Sequence, residues 1–319
     1  MVGIIDFEVR FPSARASVAK MHAASGVSIA DIMAITHCDG FPVLADNEQE
    51  WQLAVQSCRT MLARNRVVPT MIGNVIYAGS GEWETPFWSP AAKAANELSI
   101  NDAHCFEVTN FCNAATAAVQ IAADKIALGR TSYVLVLLGD RLSQLVDHGD
   151  PDSKMLFNFG DASAAVLLGQ EDLTFKLLHS AMRTDPSWCD YYCGEREEYR
   201  VLMRRRGRRQ GLANAYIEAF SALVADTLAA LDKKTDDIAY FLINQGDKGM
   251  HERLLQTLGI RADKSVFNYD RLGHMGTPDT LIALQEVLTY KRMKTGDLIL
   301  LATSGMGFSW GITALEYVK

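Results

Sequence analysis

Residues 107–129 read EVTNFCNAATAAVQIAADKIALG, and this stretch decides the fold. A short strand-like run ends near Asn110, and an alanine-rich helix starts at Cys112. A thiol at a helix start lies beside unpaired backbone N–H groups and at the positive end of the helix dipole. Both features favour the thiolate, which is the form that attacks a thioester. Cys112 is therefore a candidate nucleophile, and the alternative is a small buried cysteine without chemistry.

Apolar strand-like runs alternate with longer helical stretches along the whole chain. This alternation is typical of an α/β protein whose helices cover mostly buried sheets. The predicted strands are Val75–Ala78, Ser132–Gly139, Ser163–Leu168, Ala239–Ile243 and Asp297–Thr303. The predicted helices are Glu48–Arg64, Asn113–Leu128, Ala213–Leu231, Gly249–Leu258 and Thr277–Lys291. Two glycines, Gly129 and Gly259, are expected to end the helices that they follow.

The stretch from Thr184 to Gly211 lacks this rhythm and is rich in Trp, Tyr, Cys and charged residues. We interpret residues 184–211 as an inserted surface segment or active-site flap at the junction of two halves. The predicted halves are residues 1–170, which carry Cys112, and residues 171–319. No low-complexity linker separates them, so we expect the halves to pack tightly against each other.

Composition excludes several classes of protein. The chain has 319 residues with 49% hydrophobic content, which is enough to bury a large core. The N-terminus, MVGIIDFEVRFPS, lacks a basic start followed by an apolar run, and no run of ~18 apolar residues occurs. We therefore expect a cytoplasmic protein without a membrane span. A net charge of -7 argues against a general nucleic-acid binder.

The six cysteines are too dilute for a disulfide framework in a chain of this size, so we expect them to be reduced. Only Cys189 and Cys193 are close in sequence. No second Cys or His pair follows them at zinc-site spacing, so no metal site is predicted.

Five segments resemble the ketoacyl-acyl carrier protein synthase III family. FCNAATAAVQIA (111–122) looks like its nucleophile segment, and LFNFGDASAAVLLG (156–169) resembles its Phe-Gly-Asp-Gly-Ala-rich hairpin. INQGDKGMHERLLQTLGI (243–260) is similar to its His-Gln-Ala-Asn segment, and DRLGHMGTPDTLIAL (270–284) to its Gly-Asn-Thr-Ser segment. ATSGMGFSWGITALEYV (302–318) resembles its terminal strand pair. The segments occur in the family's order, whereas the first 70 residues match only in general shape.

The resemblance implies an α/β thiolase fold, in which two pseudo-twofold-related halves form a five-layered αβαβα core, and it implies a homodimer. It also implies a two-step reaction. An acyl group is first transferred to the cysteine, and the carbanion from a decarboxylating malonyl thioester then attacks the acyl-enzyme. No bound cofactor is implied, because the substrate is a thioester of coenzyme A or of an acyl carrier protein.

Two positions depart from the family pattern. Asn244 stands where the family has His, and His274 stands where it has the Asn of Gly-Asn-Thr-Ser. Asn244 can still donate a hydrogen bond to a thioester oxygen, and His274 can donate or take a proton. We predict a Cys112/His274/Asn244 constellation with His274 as general base. The alternatives are a solvated loop histidine and an asparagine that caps local backbone.

The segment SGMGFSWG is expected to complete an oxyanion site. The resemblance implies that the backbone N–H groups of Met306 and Cys112 bind the acyl oxygen as it gains charge. Gly305 and Gly307 would let the main chain approach closely. An ordinary glycine turn between two strands is the alternative.

Two further candidates lie in EWETPFWSP. Phe87 matches the position at which the family extends an aromatic side chain into the partner's acyl pocket. Trp83, Trp88 and Phe87 could instead belong to the core or to the dimer surface. Glu82 lies near the position of a catalytic glutamate in the related HMG-CoA synthases, so it is a secondary acid/base candidate.

A basic run close to the end of the flap comprises Arg204, Arg205, Arg206, Arg208 and Arg209. Such a run can be a solvated loop. It can also bind the acidic surface of an acyl carrier protein or the phosphates of coenzyme A, since guanidinium groups pair bidentately with both. The family's N-terminal Trp and Arg that stack the adenine of coenzyme A have no match here, which favours a carrier-protein donor.

We predict an acyltransferase of a specialised fatty acid or polyketide pathway. The acceptor is a malonyl-derived carbanion, an alcohol or an amine. The altered triad favours ester or amide formation, because O- or N-acylation mainly needs a base. The alternative function is a catalytically silent subunit of a heterodimeric ketosynthase, against which Cys112 argues.

Overall fold

The computed structural model describes residues 1–290 and 293–319. The strands are β1 (Gly3–Arg10), β2 (Ala14–Arg15), β3 (Pro42–Val43), β4 (Ile72–Gly79), β5 (His104–Thr109), β6 (Tyr133–Arg141), β7 (Asp161–Gly169), β8 (Phe175–Thr184), β9 (Tyr192–Glu197), β10 (Arg200–Arg205), β11 (Ile238–Ile243), β12 (Leu298–Gly305) and β13 (Ser309–Tyr317). The α-helices are α1 (Val18–Ser25), α2 (Ile29–Thr36), α3 (Glu50–Asn65), α4 (Pro90–Glu97), α5 (Ala114–Ala127), α6 (Leu212–Ala230), α7 (Lys248–Leu258) and α8 (Asp279–Tyr290).

The predicted strands and helices are confirmed, with bounds that differ by up to three residues. Gly129 and Gly259 follow helices in the left-handed conformation, with φ of 66° and 68°, as expected of helix-ending glycines. Helix α3 begins later than predicted. The Glu48 side chain instead accepts hydrogen bonds from the backbone N–H groups of Ser13 and Ala45. The predicted end of the last helix, Lys291, lies outside the described residues.

Nine of the described strands form one sheet in the order β11-β12-β13-β8-β1-β7-β6-β4-β5. Strands β1 and β8 join its two parts through the pairs Gly3–Lys176 and Ile4–Phe175. In the first part β4 is parallel to β6, and β7 is antiparallel to both β6 and β1. In the second part β11 is parallel to β12, and β13 is antiparallel to both β12 and β8. The same arrangement therefore occurs twice, as a pseudo-twofold repeat requires.

The helices lie in three layers around these two parts. Alternation along the strands shows this. Leu135 of β6 belongs to the core cluster that contains residues of α3 and α4, whereas Val136 belongs to the cluster that contains residues of α5 and α8. In the second part Leu300 of β12 packs with α6 and α7, whereas Ile299 faces α5 and α8. The five-layered αβαβα thiolase arrangement is thus confirmed. None of the described helices is long and apolar enough to cross a membrane.

Residues 184–211 are more regular than the sequence indicated. Strands β9 and β10 form an antiparallel hairpin, which was not predicted. Period-two alternation arises when one face of a strand is buried, and this hairpin has no such face. Its buried residues, Leu202 and Met203, are instead consecutive. The division of the chain at residue 170 stays a prediction.

Candidate active site

The candidate nucleophile lies in a sharp turn between β5 and α5. Residues Phe111–Asn113 form one 3₁₀ turn, and α5 follows directly at Ala114. Phe111 has a φ of 49°, in the left-handed region that bulky residues rarely adopt. This turn holds Cys112 at the start of α5, as predicted, with 6% of its surface exposed. Its thiol lines a cavity of about 530 Å³.

The predicted histidine, His274, contacts this thiol. Sγ of Cys112 lies 3.0 Å from Nε2 of His274. The loop that carries His274 is fixed by backbone hydrogen bonds, since its N–H donates to the carbonyl of Asn158 at 2.7 Å and its carbonyl accepts from Gly160 at 2.9 Å. His274 is only 4% exposed. The alternative of a solvated loop histidine is therefore wrong.

A third residue, Asp279, completes the arrangement and was missed in the sequence. Its Oδ2 lies 2.6 Å from Nδ1 of His274 and accepts the N–H of Gln245 at 2.7 Å. Its Oδ1 accepts the N–H of Met275 at 2.9 Å. Because a carboxylate only accepts, Nδ1 of His274 carries a proton and Nε2 faces the thiol. The resulting order is Cys112–His274–Asp279, a nucleophile, a base and a group that orients the base.

The charges around His274 set its protonation. Burial by itself would lower the pKa of His274, but the negative charges of Cys112 and Asp279 outweigh it and hold that pKa well above its usual range. The imidazole is thus protonated at neutral pH in the free protein. Contact between a thiol and an imidazole is the arrangement in which cysteine nucleophiles are activated.

The predicted donor, Asn244, is held by the backbone of Ser304, which engages one of its two N–H groups and its oxygen. It follows β11, lines the same cavity, and its Nδ2 donates to the carbonyl of Ser304 at 3.2 Å. Its Oδ1 accepts the backbone N–H of Ser304 at 3.2 Å. Asn244 therefore satisfies local backbone, which is the alternative that the sequence left open.

The glycine-rich loop between β12 and β13 packs against the cysteine turn. A Cβ on Gly305 would lie 2.7 Å from the carbonyl oxygen of Asn110, so only glycine permits this approach. Gly307 has a φ of 72°. Met306 lines the cavity together with Cys112. This placement favours the predicted oxyanion pair over an ordinary turn, and its role stays a prediction.

Comparison with known proteins agrees with this geometry. Residues 106–186 match the family model for 3-oxoacyl-[acyl-carrier-protein (ACP)] synthase III, and residues 228–317 match the model for its C-terminal region. Together they cover more than half of the chain. The chain belongs to this synthase III family.

Relatives and solved structures span almost the full length. The β-ketoacyl-[acyl-carrier-protein] synthase III of Sphingopyxis alaskensis is 25% identical over 268 residues, which is 83% of this chain and 83% of the relative. The 3-oxoacyl-[acyl-carrier-protein] synthase III from Aquifex aeolicus has a TM-score of 0.88 at 22% identity, covering 99% of this chain and 100% of that one. Cerulenin-bound OleA from Xanthomonas campestris has a TM-score of 0.88 at 17% identity, covering 99% and 97%. At these identities the structures show the fold.

The basic run of this synthase III chain divides into two groups, of which the first is neutralised. Nη1 of Arg204 lies 2.6 Å from a carboxylate oxygen of Asp150, and its Nη2 lies 2.8 Å from Glu197. Arg206 pairs with Glu195 at 3.0 Å. These guanidinium groups are held by the hairpin and its neighbours.

The second group faces the cavity. The guanidinium of Arg205 lies 4.9 Å from the ring centre of Tyr191, and that of Arg209 lies 4.2 Å from that of Trp188. Both arginines line the cavity of Cys112. Arg208, the fifth arginine of the run, belongs to neither group, because it is exposed and does not line the cavity.

The aromatic residues before α4 differ in burial. Trp83 packs edge-on against Tyr77 at 5.2 Å, and Trp88 packs against Trp51 at 6.3 Å. Both therefore pack against the core. Phe87 is fully exposed and does not line the cavity of Cys112 in this chain. Glu82 lines a neighbouring cavity of about 410 Å³, which shares Tyr192 and Met306 with the first, and it does not line the cavity of Cys112.

Proposed function

We propose that this synthase III family member carries an acyl group as a thioester on Cys112 and transfers it to a hydroxyl or amine. The observation that carries this proposal is the buried Cys112–His274–Asp279 arrangement, with 3.0 Å between Sγ and Nε2 and 2.6 Å between Nδ1 and Oδ2. It supplies a nucleophile and a base whose ring is held in one orientation.

In the first half-reaction the thiolate of Cys112 attacks the carbonyl carbon of a donor thioester. The developing oxyanion would be bound by the backbone N–H groups of Cys112 and Met306. When the donor's C–S bond breaks, the departing thiolate takes the proton from Nε2 of His274. The products are acyl-Cys112, a neutral His274 and a free donor thiol.

In the second half-reaction neutral His274 acts as the base. An O–H or N–H nucleophile attacks the acyl carbon while Nε2 takes its proton. Collapse of the tetrahedral intermediate breaks the bond to Sγ and releases the Cys112 thiolate. The ester or amide leaves, and the thiolate and imidazolium are restored. Asp279 holds the Nδ1 proton throughout.

Asn244 favours this acceptor class over a malonyl carbanion. Decarboxylation needs two donors placed together on the thioester oxygen, whereas one of the two N–H groups of Asn244 is already used by the carbonyl of Ser304, and the His274 ring is oriented by Asp279. O- or N-acylation needs one base, which His274 supplies. The silent-subunit alternative has no use for a buried thiol in contact with an imidazole.

We further propose that the donor is a thioester of coenzyme A or of an acyl carrier protein in specialised fatty acid or polyketide biosynthesis. Arg205 and Arg209 support this, because both reach the cavity and neither forms a salt bridge among the described residues. Asp185 interacts electrostatically with Arg209, but its carboxylate is hydrogen-bonded to Ser187. A phosphate on the donor would provide their counter-charge.

Intact-mass measurement tests the proposed function. The purified chain is incubated with a panel of acyl thioesters, and one acyl group is expected on Cys112. Adding alcohols and amines should then remove the acyl group and yield the matching ester or amide. No acylation by any thioester, or acylation at Cys189 or Cys193 alone, would refute the proposal.

A further inference from the structure

A chain of three polar side chains lies in the wall of the reaction cavity, and the mechanism above does not use it. The hydroxyl of Tyr216 on α6 is hydrogen-bonded to the hydroxyl of Ser304 on β12. The Ser304 hydroxyl lies 3.3 Å from Oδ1 of Asn244. All three residues line the cavity that holds Cys112 and His274.

The backbone of Ser304 fixes the orientation of the Asn244 amide. The N–H of Ser304 can only donate, and it lies 3.2 Å from Oδ1. The carbonyl of Ser304 can only accept, and it lies 3.2 Å from Nδ2. A flipped amide would place donor against donor and acceptor against acceptor. Oδ1 of Asn244 therefore faces the Ser304 hydroxyl.

This orientation determines where both hydroxyl protons lie. Since Oδ1 of Asn244 only accepts, the Ser304 hydroxyl must point its hydrogen at it to avoid opposed lone pairs. With that hydrogen used, Oγ of Ser304 accepts from the Tyr216 hydroxyl. The Tyr216 hydroxyl therefore donates its hydrogen to Ser304, and the lone pairs of the Tyr216 oxygen face the cavity.

The Tyr216 side chain is held in place. Its ring packs edge-on against Phe220 at 5.1 Å and against Trp310 at 6.1 Å. Burial raises the pKa of the Tyr216 hydroxyl, and the nearby charge of Cys112 raises it further. The phenol therefore keeps its proton at neutral pH, and the order of donors in the chain persists.

We propose that the Tyr216 oxygen binds a second N–H or O–H of the acceptor, beyond the hydrogen that His274 removes. This inference rests on the proposed function. One hydrogen of the nucleophile passes to Nε2 of His274, and the second stays on the acceptor and donates to Tyr216. No bond forms or breaks at Tyr216.

The acceptor class follows from this count of hydrogens. A primary amine has the second hydrogen on the nucleophilic nitrogen, and a diol has it on the neighbouring hydroxyl. A secondary amine or a diol monoether lacks it after its first hydrogen has gone to His274. A malonyl carboxylate would place its lone pairs against those of Tyr216.

Matched acceptor pairs test the inference. Acyl-Cys112 is prepared with an acyl N-acetylcysteamine thioester, freed of donor, and mixed with butylamine or N-methylbutylamine, and with propane-1,2-diol or its monomethyl ether. Intact mass follows the loss of the acyl group. The preference for the two-hydrogen acceptor should fall about tenfold in Tyr216→Phe relative to the parent, as expected for one lost hydrogen bond. Intrinsic reactivity cancels in this comparison.

Two further variants distinguish orientation from packing. In Ser304→Ala the Tyr216 hydroxyl loses the group that accepts its hydrogen, and the O–H can point into the cavity. The preference should then shift toward the acceptor that lacks the second hydrogen. Tyr290→Phe alters a tyrosine that is 81% exposed on α8 and should leave every ratio unchanged.

The outcomes separate the two proposals. A loss of preference within the amine pair alone identifies an amine acceptor, and one within the diol pair alone identifies a hydroxylated acceptor. If Tyr216→Phe slows both members of each pair equally, or if the parent has no preference, the inference is wrong while acyl transfer stands. If Cys112 is never acylated, both proposals fail.

Discussion

At the residue scale, Asp279 governs both the direction and the charge of the base. Its two oxygens accept hydrogens from His274, Gln245 and Met275. In Asp279→Asn the amide NH₂ must face at least one of these donors, and the charge that raises the pKa of His274 is lost. Transfer from acyl-Cys112 should therefore fall by roughly 10²-fold or more.

The pH profile of Asp279→Asn provides a second readout. The base is the neutral form of His274, and the negative charge of Asp279 favours the protonated form. Removing the charge lowers the pKa of His274, so the acid limb of the transfer rate should move to lower pH. Single-turnover decay of acyl-Cys112 across pH measures this. A slower rate with an unmoved limb would mean that Asp279 supports packing alone.

His274 itself separates the two half-reactions. In His274→Ala the helix start and the backbone donors remain, so acyl-Cys112 should still accumulate, though more slowly. Transfer to the acceptor should drop ~10²–10⁴-fold, because no base remains. Asn244→Ala should be milder, since one N–H of its Nδ2 already donates to Ser304 and at most one hydrogen bond to a substrate is lost. Rates of mass gain and mass loss measure the two steps. A dead Asn244→Ala beside an active His274→Ala would invert these roles.

The sequence indicated Cys112 and His274 but not Asp279, and the reason is physical. An acidic residue in the first turn of a helix is common because it complements the helix dipole. Asp279 starts α8, so its position looks like ordinary capping. Only the fold brings it against His274 and the N–H of Gln245, which is 34 residues away.

At the element scale, the flap hairpin is expected to recognise the charged end of the donor. The double variant Arg205→Ala/Arg209→Ala should raise KM for acyl-CoA or acyl-carrier protein roughly tenfold or more, since charge-assisted hydrogen bonds are lost. Turnover with an N-acetylcysteamine thioester, which has no phosphate, should change far less. Steady-state rates with both donors measure the difference.

Arg206→Ala is the matched control for the flap. Arg206 belongs to the same basic run, but its guanidinium pairs with Glu195 and does not line the cavity. Its removal should leave KM for both donors close to the parent's. An equal loss with charged and truncated donors in the double variant would contradict phosphate recognition.

The division of the basic run could not be predicted from sequence. Five arginines within six positions look alike, and what separates them is pairing across the hairpin and against Asp147 and Asp150. The hairpin itself had no alternating pattern. By contrast, α5 and its preceding turn were predicted closely, because an alanine-rich run has a strong local preference for helix.

At the scale of the whole molecule, we expect a homodimer. Strand β5 ends the sheet of the described strands, and it leads into the turn that carries Cys112. Phe87 is fully exposed and Phe111 is 39% exposed. An open sheet edge and exposed aromatic side chains both favour association. Light scattering should give a mass near twice 35.2 kDa. A fully active monomer at micromolar concentration would contradict this expectation.

The layered fold was largely predictable, because its central strands are short apolar runs buried on both faces. Helices follow these strands at regular intervals along the chain. The burial of ionisable side chains within this fold could not be predicted. Glu50 starts α3, yet it is only 3% exposed, and its carboxyl contacts the hydroxyls of Ser163 and Tyr77. From sequence it looks like a solvated acid at a helix start.

This buried carboxyl makes the stability of the whole molecule depend on pH. Burial raises the pKa of Glu50 well above its usual value, and the nearby charge of Glu84 adds to this. At neutral pH the folded chain therefore holds a proton that the unfolded chain releases. The free energy of unfolding should fall as pH rises from the unfolded pKa toward the folded one, by about 1.4 kcal/mol per pH unit for one proton.

Glu50→Gln should remove this dependence. Glutamine has the shape of the protonated acid and is neutral at every pH, so the variant should match the parent near pH 5 and exceed its stability at pH 8. Urea unfolding at pH 5, 6, 7 and 8 measures the difference. Glu48→Gln is the control. Burial would raise the pKa of Glu48, but hydrogen bonds from Ala45 and Ser13 hold it below its usual value. Glu48 therefore titrates below this range, so Glu48→Gln should lower stability by the same amount at all four values. If the free energy of unfolding of Glu50→Gln also differed from the parent's by the same amount at all four pH values, Glu50 would not hold a proton in the folded chain.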